Sequence, residues 1–416
     1  MKKWLSMIGP GICLAGAAIG VSHLMQSTRA GANFGWQLLP LVILTNVFKY
    51  PFFEYGHRYA AATGEHLLTG YRRLGKLTLS VYFVLNLLTG FGTIAAVTIL
   101  TGALASYLFG GFLDLFGWCL VSLTTCLGLI VIGHYRIVDN VVKVLLGFLF
   151  ICTSFAFAVA LAHGPVAPAD FVSPSPWNLA SLGFLIALMG WMPAPIEISV
   201  MQSLWIKAND REHEREKTPL KDALIDYNVG FSLMILTAAM FVGLGALAMH
   251  GSGAEFAASN AGFAQQFVQL YTDNLGEWAR PFVAVAALTA MFSTTLTVLD
   301  GYPRALATSV AVLRRGEGAD ASRTEHVVWI VVGGATASVV LAFVIYGEMP
   351  MTGLIDVVTI IAFLAAPVFA FWNHRLIFSA HVPDEAKPPG WLKAGSYIGL
   401  ACLVGFGVVY VLSRVL

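Results

Sequence analysis

The chain has 416 residues, 57% hydrophobic and only 11% charged, with a formal net charge of +1. A soluble domain carries about 25% charged residues, so the composition excludes an ordinary soluble protein, and a near-neutral charge gives no sign of a nucleic-acid partner. A mean hydropathy of +0.76, with repeated apolar runs near 20 residues long, instead indicates a polytopic helical membrane protein with the lipid bilayer as its main partner.

Eleven spans are predicted in chain order. Met1-Lys2-Lys3 leads directly into the first, at 6–31, with no small-residue cleavage site, so no cleavable signal is expected. This span holds GPGICLAGAAIGVSHLMQSTRAGANFG (9–35), an apolar segment interrupted at Gly20-Val21-Ser22 by the polar cluster Ser22, His23, Gln26, Ser27, Thr28 and Arg29. Polar groups at bilayer depth are rare and usually face a cavity or a partner. Arg29, near the outer end, reads as a side chain snorkelling to the surface. Span 2, at 36–57, contains Lys49 and Glu54, read as an internal salt bridge. Spans 3 to 5 follow at 79–108, 112–133 and 138–162. Span 6, at 179–204, is interrupted at Pro193-Ala194-Pro195. The charged stretch 205–222 reads as a solvated helix or loop. Span 7, at 223–249, begins near Asp226. The Ala/Gly/Ser-rich stretch 250–275 reads as an outer loop with a short interfacial helix. Span 8, at 279–309, places Asp300 and Arg304 four apart, the spacing of a helical ion pair. Spans 9 to 11 occupy 325–346, 352–372 and 392–413. The five cysteines are scattered and form no CxxC, which suits small apolar packing residues rather than disulfides or zinc.

With the N-terminus inside, cytoplasmic segments hold 18 of the 24 Lys and Arg residues, and the loops 109–111, 163–178, 250–278 and 347–351 hold none. This asymmetry follows the positive-inside rule and places the C-terminus outside, in what is expected to be a bacterial inner membrane. Eleven spans fit a single transmembrane domain over 1–416: a first repeat at 5–162, a second at 179–372 and an extra helix at 392–413. Interruptions in the first helix of each half point to an inverted-repeat transporter with a site at the membrane midplane. A broken helix frees carbonyls and amides at bilayer depth that only a cavity or a bound solute is expected to satisfy.

The segment 9–35, the following WQLLPLVILTNVFKYPFFEYGHRYAAATGEHLLTGYRR and the span-6 stretch LMGWMPAPIEISVMQS resemble the NRAMP family of proton-coupled divalent-metal transporters. The resemblance is clear over 5–75 and 180–205, and RAGANFG and ATGE are its more specific parts. It implies an all-α integral membrane protein with a LeuT-like inverted repeat of five plus five helices and one more. Departures fall on the site. The family's first-helix Asp-Pro-Gly-Asn aligns with Gly20, Val21, Ser22 and His23, so the metal-binding carboxylate is Gly20 and the metal-binding amide is His23. In span 6, Met192 and Pro193 match, the following His is Ala194, and a second His falls at Ser199. The family's acidic residues of span 3 have no counterpart in TGFGTIAAVTILTG.

A divalent ion in a membrane needs negative charge nearby. Glu197, five residues beyond Met192, is a candidate to return it, or else a structural carboxylate. His23 and the Met192 sulfur are transition-metal ligand types, so His23, Met192 and Glu197 form the candidate metal set. His23 equally suits a hydrogen bond to a polar solute, a proton-carrying step, or a core histidine. The candidate substrate-binding residues are Gly20, Ser22, His23, Gln26, Met189, Met192, Ala194 and Glu197; the proton candidates are His23, Glu197 and Asp300. The expected function is NRAMP-like secondary active transport by alternating access. The family-level cargo is a divalent transition metal with protons as the coupling ion; the alternative is a small organic anion or other polar solute. No catalytic constellation is present, so no enzyme and no cofactor are expected, and the sequence carries no signal of oligomeric state. Whether His23 and Glu197 converge on the gap between the two breaks separates the readings.

Overall fold

The computed structural model describes residues 9–253, 260–347 and 349–415. Lys2, Lys3, the first residues of span 1 and part of the outer segment at 254–259 lie outside the described residues. Within them the chain is all helical, with fourteen α-helices and no strand. Span 1 is α1 (Pro10–Ala18), a π-helical turn (Ser22–Ser27) and α2 (Thr28–Phe34). Then come α3 (Leu39–Thr63), the short α4 (Leu67–Leu74), α5 (Lys76–Phe109) and α6 (Leu115–His163). Span 6 is α7 (Leu179–Trp191) and α8 (Ile198–Glu212). They are followed by α9 (Leu220–Ala248), α10 (Asn260–Leu275), α11 (Arg280–Arg315), α12 (Arg323–Tyr346), α13 (Met351–Ile377) and α14 (Gly390–Val415).

Eight helical stretches are long and apolar enough to cross a bilayer, two of them, Leu115–Ile132 and Asn140–His163, within α6. The first runs from Trp118, stacked on Phe109, to Val131, whose carbonyl accepts from Arg323. The second returns, because Val166 beyond its end donates to Leu247 at the far end of α9. The other three predicted spans have visible reasons for lower apolar content: α3 buries Lys49, Glu54 and Arg58, and spans 1 and 6 are broken. With spans 1, 2 and 6, the described helices account for the eleven predicted spans in order.

The loops sort onto two faces as the charge pattern predicts. Arg73–Glu317, Arg211–Asp320 and His66–Asp320 tie together the segments after α3, α4, α8 and α11 on the basic face. Asp320 is half-buried there; its burial opposes ionisation, but His66 and Arg211 hold its carboxyl below the usual range. On the opposite face Gln37 and His250 both meet Ser173, and Tyr346 meets Asp114. The predicted solvated stretch begins as an extension of α8 to Glu212, and the predicted interfacial helix is α10.

Burial separates an inner bundle from an outer shell. The most apolar window of α11 is 72% buried and that of α14 only 11%. Tyr397, Ile398, Val404, Val408 and Leu412 on α14 are exposed, a face that suits lipid tails and not water. Span 1 lies at the centre, held against α9 by glycines. A Cβ on Gly230 would come within 2.1 Å of the Gly11 carbonyl oxygen, and one on Gly245 within 2.2 Å of the Thr28 carbonyl oxygen. Only Gly permits this approach, the usual device for close helix packing in lipid. None of the five cysteines is in a disulfide.

Candidate functional site

The first break follows from Ala18, where α1 ends. Gly20 N–H donates to the Ala18 carbonyl at 2.8 Å instead of continuing the i→i−4 ladder. Carbonyls are thereby freed, and protein groups take them. Ser22 Oγ donates to Ala18 O (2.8 Å), and Thr294 Oγ1 on α11 reaches Gly16 O (2.9 Å) and Ile19 O (3.3 Å). The same threonine closes the space over Gly20: a Cβ there would lie 2.5 Å from Thr294 Oγ1. The position that the family resemblance assigns to a carboxylate has no room for a side chain.

His23 is fully buried with both ring nitrogens engaged. Nε2 lies 3.0 Å from Met234 O on α9, and Nδ1 lies 2.7 Å from Ser22 Oγ. A carbonyl only accepts, so Nε2 carries a proton. Gln26 and Arg29 point the other way along the span. Arg29 Nη1 donates to Gln26 Oε1 (2.9 Å) and Asp356 Oδ1 (3.1 Å), Gln26 Nε2 donates to the same Asp356 oxygen (2.9 Å), and the guanidinium lies over Phe184. Arg29 therefore does not snorkel. It is only 15% exposed, because a carboxylate on α13 supplies the partner that water would otherwise provide.

The second break runs from Met192 to Glu197, between α7 and α8. Pro193 and Pro195 have no N–H to continue a helix. The carbonyls left by α7 are met by Lys49 from α3. Its Nζ lies 2.7 Å from Met189 O, 2.8 Å from Gly190 O and 3.2 Å from Ala194 O. The predicted Lys49–Glu54 pair does not form: Glu54 pairs with Arg58 one helical turn on at 2.5 Å. Glu197 is fully buried, and neither carboxylate oxygen has a hydrogen-bond partner. Thr89, Tyr302 and the Lys49 ammonium are the groups that face it. Ser199 is bonded to Asn373, which also meets Phe52 O and Tyr71, a structural knot beneath the break.

The two breaks touch. Ser22 Oγ lies 3.4 Å from Pro193 O. The gap between them is a cavity of about 20 Å³ walled mainly by Val21, Trp191, Ala194, Ile198 and Thr294, room for about one water. Ser22 and Ala194 line it; Gly20, His23, Gln26, Met189, Met192 and Glu197 do not. His23 is directed at α9, and Glu197 at α5 and α11. Met192 is fully buried in the apolar core. Among the described residues no three His, Cys, Asp or Glu side chains come together as a metal set. Asp300 forms the predicted pair with Arg304 and accepts from Trp205 Nε1, with His326 beside it, at the basic face and away from the breaks.

Span 1 is closed at both ends. Asp226 on α9 accepts from Gly9 N (3.0 Å) and Gly11 N (2.7 Å) at the start of α1, a carboxylate at the positive end of a helix. Arg29, Gln26 and Asp356 close the opposite side. Sequence reasoning missed the roles of Lys49, Thr294 and Asp356. Lys49 and Asp356 carried a signal, as ionisable residues inside predicted spans; Thr294 carried none.

Comparison with known proteins adds ancestry to this geometry. The family model described as natural resistance-associated macrophage protein-like (Nramp) matches residues 11–413. An uncharacterized protein of Pasteurella multocida, PM0681, is 38% identical over 410 residues, covering 98% of this chain and 92% of that protein. A divalent metal cation transporter MntH of Listeria monocytogenes is 22% identical over 311 residues, covering 71% of this chain and 66% of its own. A manganese transporter of Eremococcus coleocola superposes with a TM-score of 0.68 at 15% identity, over 98% of this chain and 86% of that one. MhsT in complex with L-phenylalanine superposes with a TM-score of 0.65 at 13% identity, over 97% and 98%. The likeness to these structures is one of fold.

Proposed function

We infer the function from one premise: the chain belongs to the Nramp family. It is an integral membrane transporter with the LeuT-like fold. Our reading is secondary active transport by alternating access, in a bacterial inner membrane, with the basic face and N-terminus cytoplasmic and the C-terminus outside. The observation that carries it is the contact of two interrupted helices at Ser22 and Pro193. Each side of that contact has its own closure, Asp226 on Gly9 and Gly11 at one end and Arg29–Asp356 at the other. Releasing one closure while keeping the other exposes the gap to one side at a time.

Relatives named as divalent metal cation and manganese transporters support a divalent transition metal as the family-level cargo, with His23, Met192 and Glu197 as the candidate ligands. The geometry favours the second reading, a small organic anion or other polar non-metal solute. The carboxylate position is Gly20, sealed by Thr294. Both His23 nitrogens are committed to protein. The carbonyls of the second break already hold an ammonium. A divalent ion bound beside that ammonium would meet its charge repulsion.

Proton coupling through His23 has a definite geometry. With a second proton on Nδ1, donors run without conflict from Nδ1–H to Ser22 Oγ and from the Ser22 hydroxyl to Ala18 O. With Nδ1 bare, the one Ser22 proton must choose between Nδ1 and Ala18 O. Protonation of His23 thus changes the bonding at the break itself. Uptake assays in proteoliposomes test the whole reading. Organic acids and amino acids are screened by counterflow beside Mn, Fe, Co and Cd, with a pH dye inside. Saturable uptake of an organic solute that Ser22→Ala or His23→Ala abolishes supports it; saturable metal uptake that requires Met192 overturns the choice of cargo.

A further inference from the structure

Lys49 places a fully buried amine against the second break. α7 ends at Trp191, so its last carbonyls have no intrahelical donors and carry the negative end of the helix dipole. The Lys49 ammonium meets Met189 O at 2.7 Å, Gly190 O at 2.8 Å and Ala194 O at 3.2 Å, which uses all three of its N–H donors. Two of these oxygens belong to the helix end and the third to the unwound stretch. The cradle therefore exists only because the helix is broken. Lys49 itself comes from α3, outside both broken helices, and is fully buried.

A second observation is independent of the lysine's own bonds. Glu197, three residues past Ala194, is fully buried with no donor within hydrogen-bond distance of either carboxylate oxygen, and the Thr89 and Tyr302 hydroxyls and the Lys49 charge lie around it. Several backbone carbonyls with one carboxylate nearby make an oxygen-lined, net-negative pocket of the kind that holds a monovalent cation. A carboxylate so placed in lipid is costly unless a cation stays beside it.

We propose that the break between α7 and α8 is a monovalent-cation site that the chain fills with its own Lys49 ammonium. The closed state then needs no dissolved cation there. The transport reading gives this site its purpose, but the chemistry of the site and its test stand apart from that reading.

Thermal unfolding of the purified protein in detergent, with sodium, potassium, methylammonium or choline chloride, tests it. Wild type unfolds at the same temperature in all four salts. Lys49→Ala empties the cradle. Its midpoint falls, and methylammonium, potassium or sodium raises it by several degrees over choline, saturating in the millimolar range. Adding Glu197→Gln removes that gain. Should Lys49→Ala not fold, Lys49→Gln takes its place, since its amide keeps N–H donors for the carbonyls but lacks the charge; a smaller cation-specific gain is expected. A folded variant indifferent to all three cations overturns the proposal, and so does a wild type specifically stabilised by any of them. Unfolding requires no transport, so the failure of one reading leaves the other intact.

Discussion

Gly20 gives the sharpest structural prediction. A Cβ at this position would lie 2.5 Å from Thr294 Oγ1, 2.7 Å from its Cγ2 and 2.9 Å from its Cβ. Thr294 is not free to turn away, since its hydroxyl bonds Gly16 O at 2.9 Å and Ile19 O at 3.3 Å. Overpacking of this kind costs about 1–3 kcal/mol, and losing the hydroxyl's bonds adds about 1 kcal/mol. Gly20→Ala should therefore destabilise by about 2–4 kcal/mol. Gly20→Asp should cost more, because its carboxylate would be buried without a partner. Truncating Thr294 to Ala removes the two nearest atoms. In that background Gly20→Ala should cost at least about 1 kcal/mol less, a coupling that a double-mutant cycle measures. The assay is reversible unfolding in mixed detergent micelles for wild type, both single variants and the double. A Gly20→Ala protein within about 0.5 kcal/mol of wild type would refute the sealed-site reasoning.

The remaining predictions concern the two closures and the basic face. Asp226→Asn should weaken the clamp on Gly9 and Gly11 by about 1–2 kcal/mol, since a charged acceptor is replaced by a neutral one; a cysteine placed in α1 should then label faster from the basic side, and an unchanged rate would count against a gate there. Arg29→Gln and Asp356→Asn should each increase labelling of Ser22→Cys from the opposite side, with the double variant no more open than either single; additive effects would mean that the two do not act as one closure. Asp320 has its carboxyl held below the usual range, so its folded pKa lies under its unfolded one. Its contribution is present above the ordinary Asp value of about 4 and lost as pH falls through the folded pKa. Wild type should therefore be more stable than Asp320→Asn at pH 7, with the gap closing under acid; a constant gap would remove this assignment.

Much of the architecture was legible because its causes are short-range. Two prolines flanking Ala194 broke span 6 by removing N–H donors, and the polar cluster after Gly20 marked the break in span 1. The Lys and Arg pattern sorted the loops onto faces that the ion pairs at Asp320 and Glu317 then joined. What stayed hidden depends on distant partners. Arg29 finds Asp356 327 positions away, and His23 finds Met234 O 211 positions away. Thr294 looked like any helix hydroxyl until α11 brought it against Gly20. One miss was readable. Glu54 and Arg58, four apart, share a helix face, whereas Lys49 and Glu54, five apart, do not. That spacing leaves Lys49 without a local partner and directs it elsewhere.

In the function proposed above, this chain keeps the family's transport scaffold but does not carry a divalent metal. Calorimetric titration of the purified, reconstituted protein with Mn and Cd tests it most directly. No saturable heat is expected with either ion, and no change in that result when Met192 is replaced by Ala. Micromolar binding with one-to-one stoichiometry, lost in Met192→Ala, would contradict it.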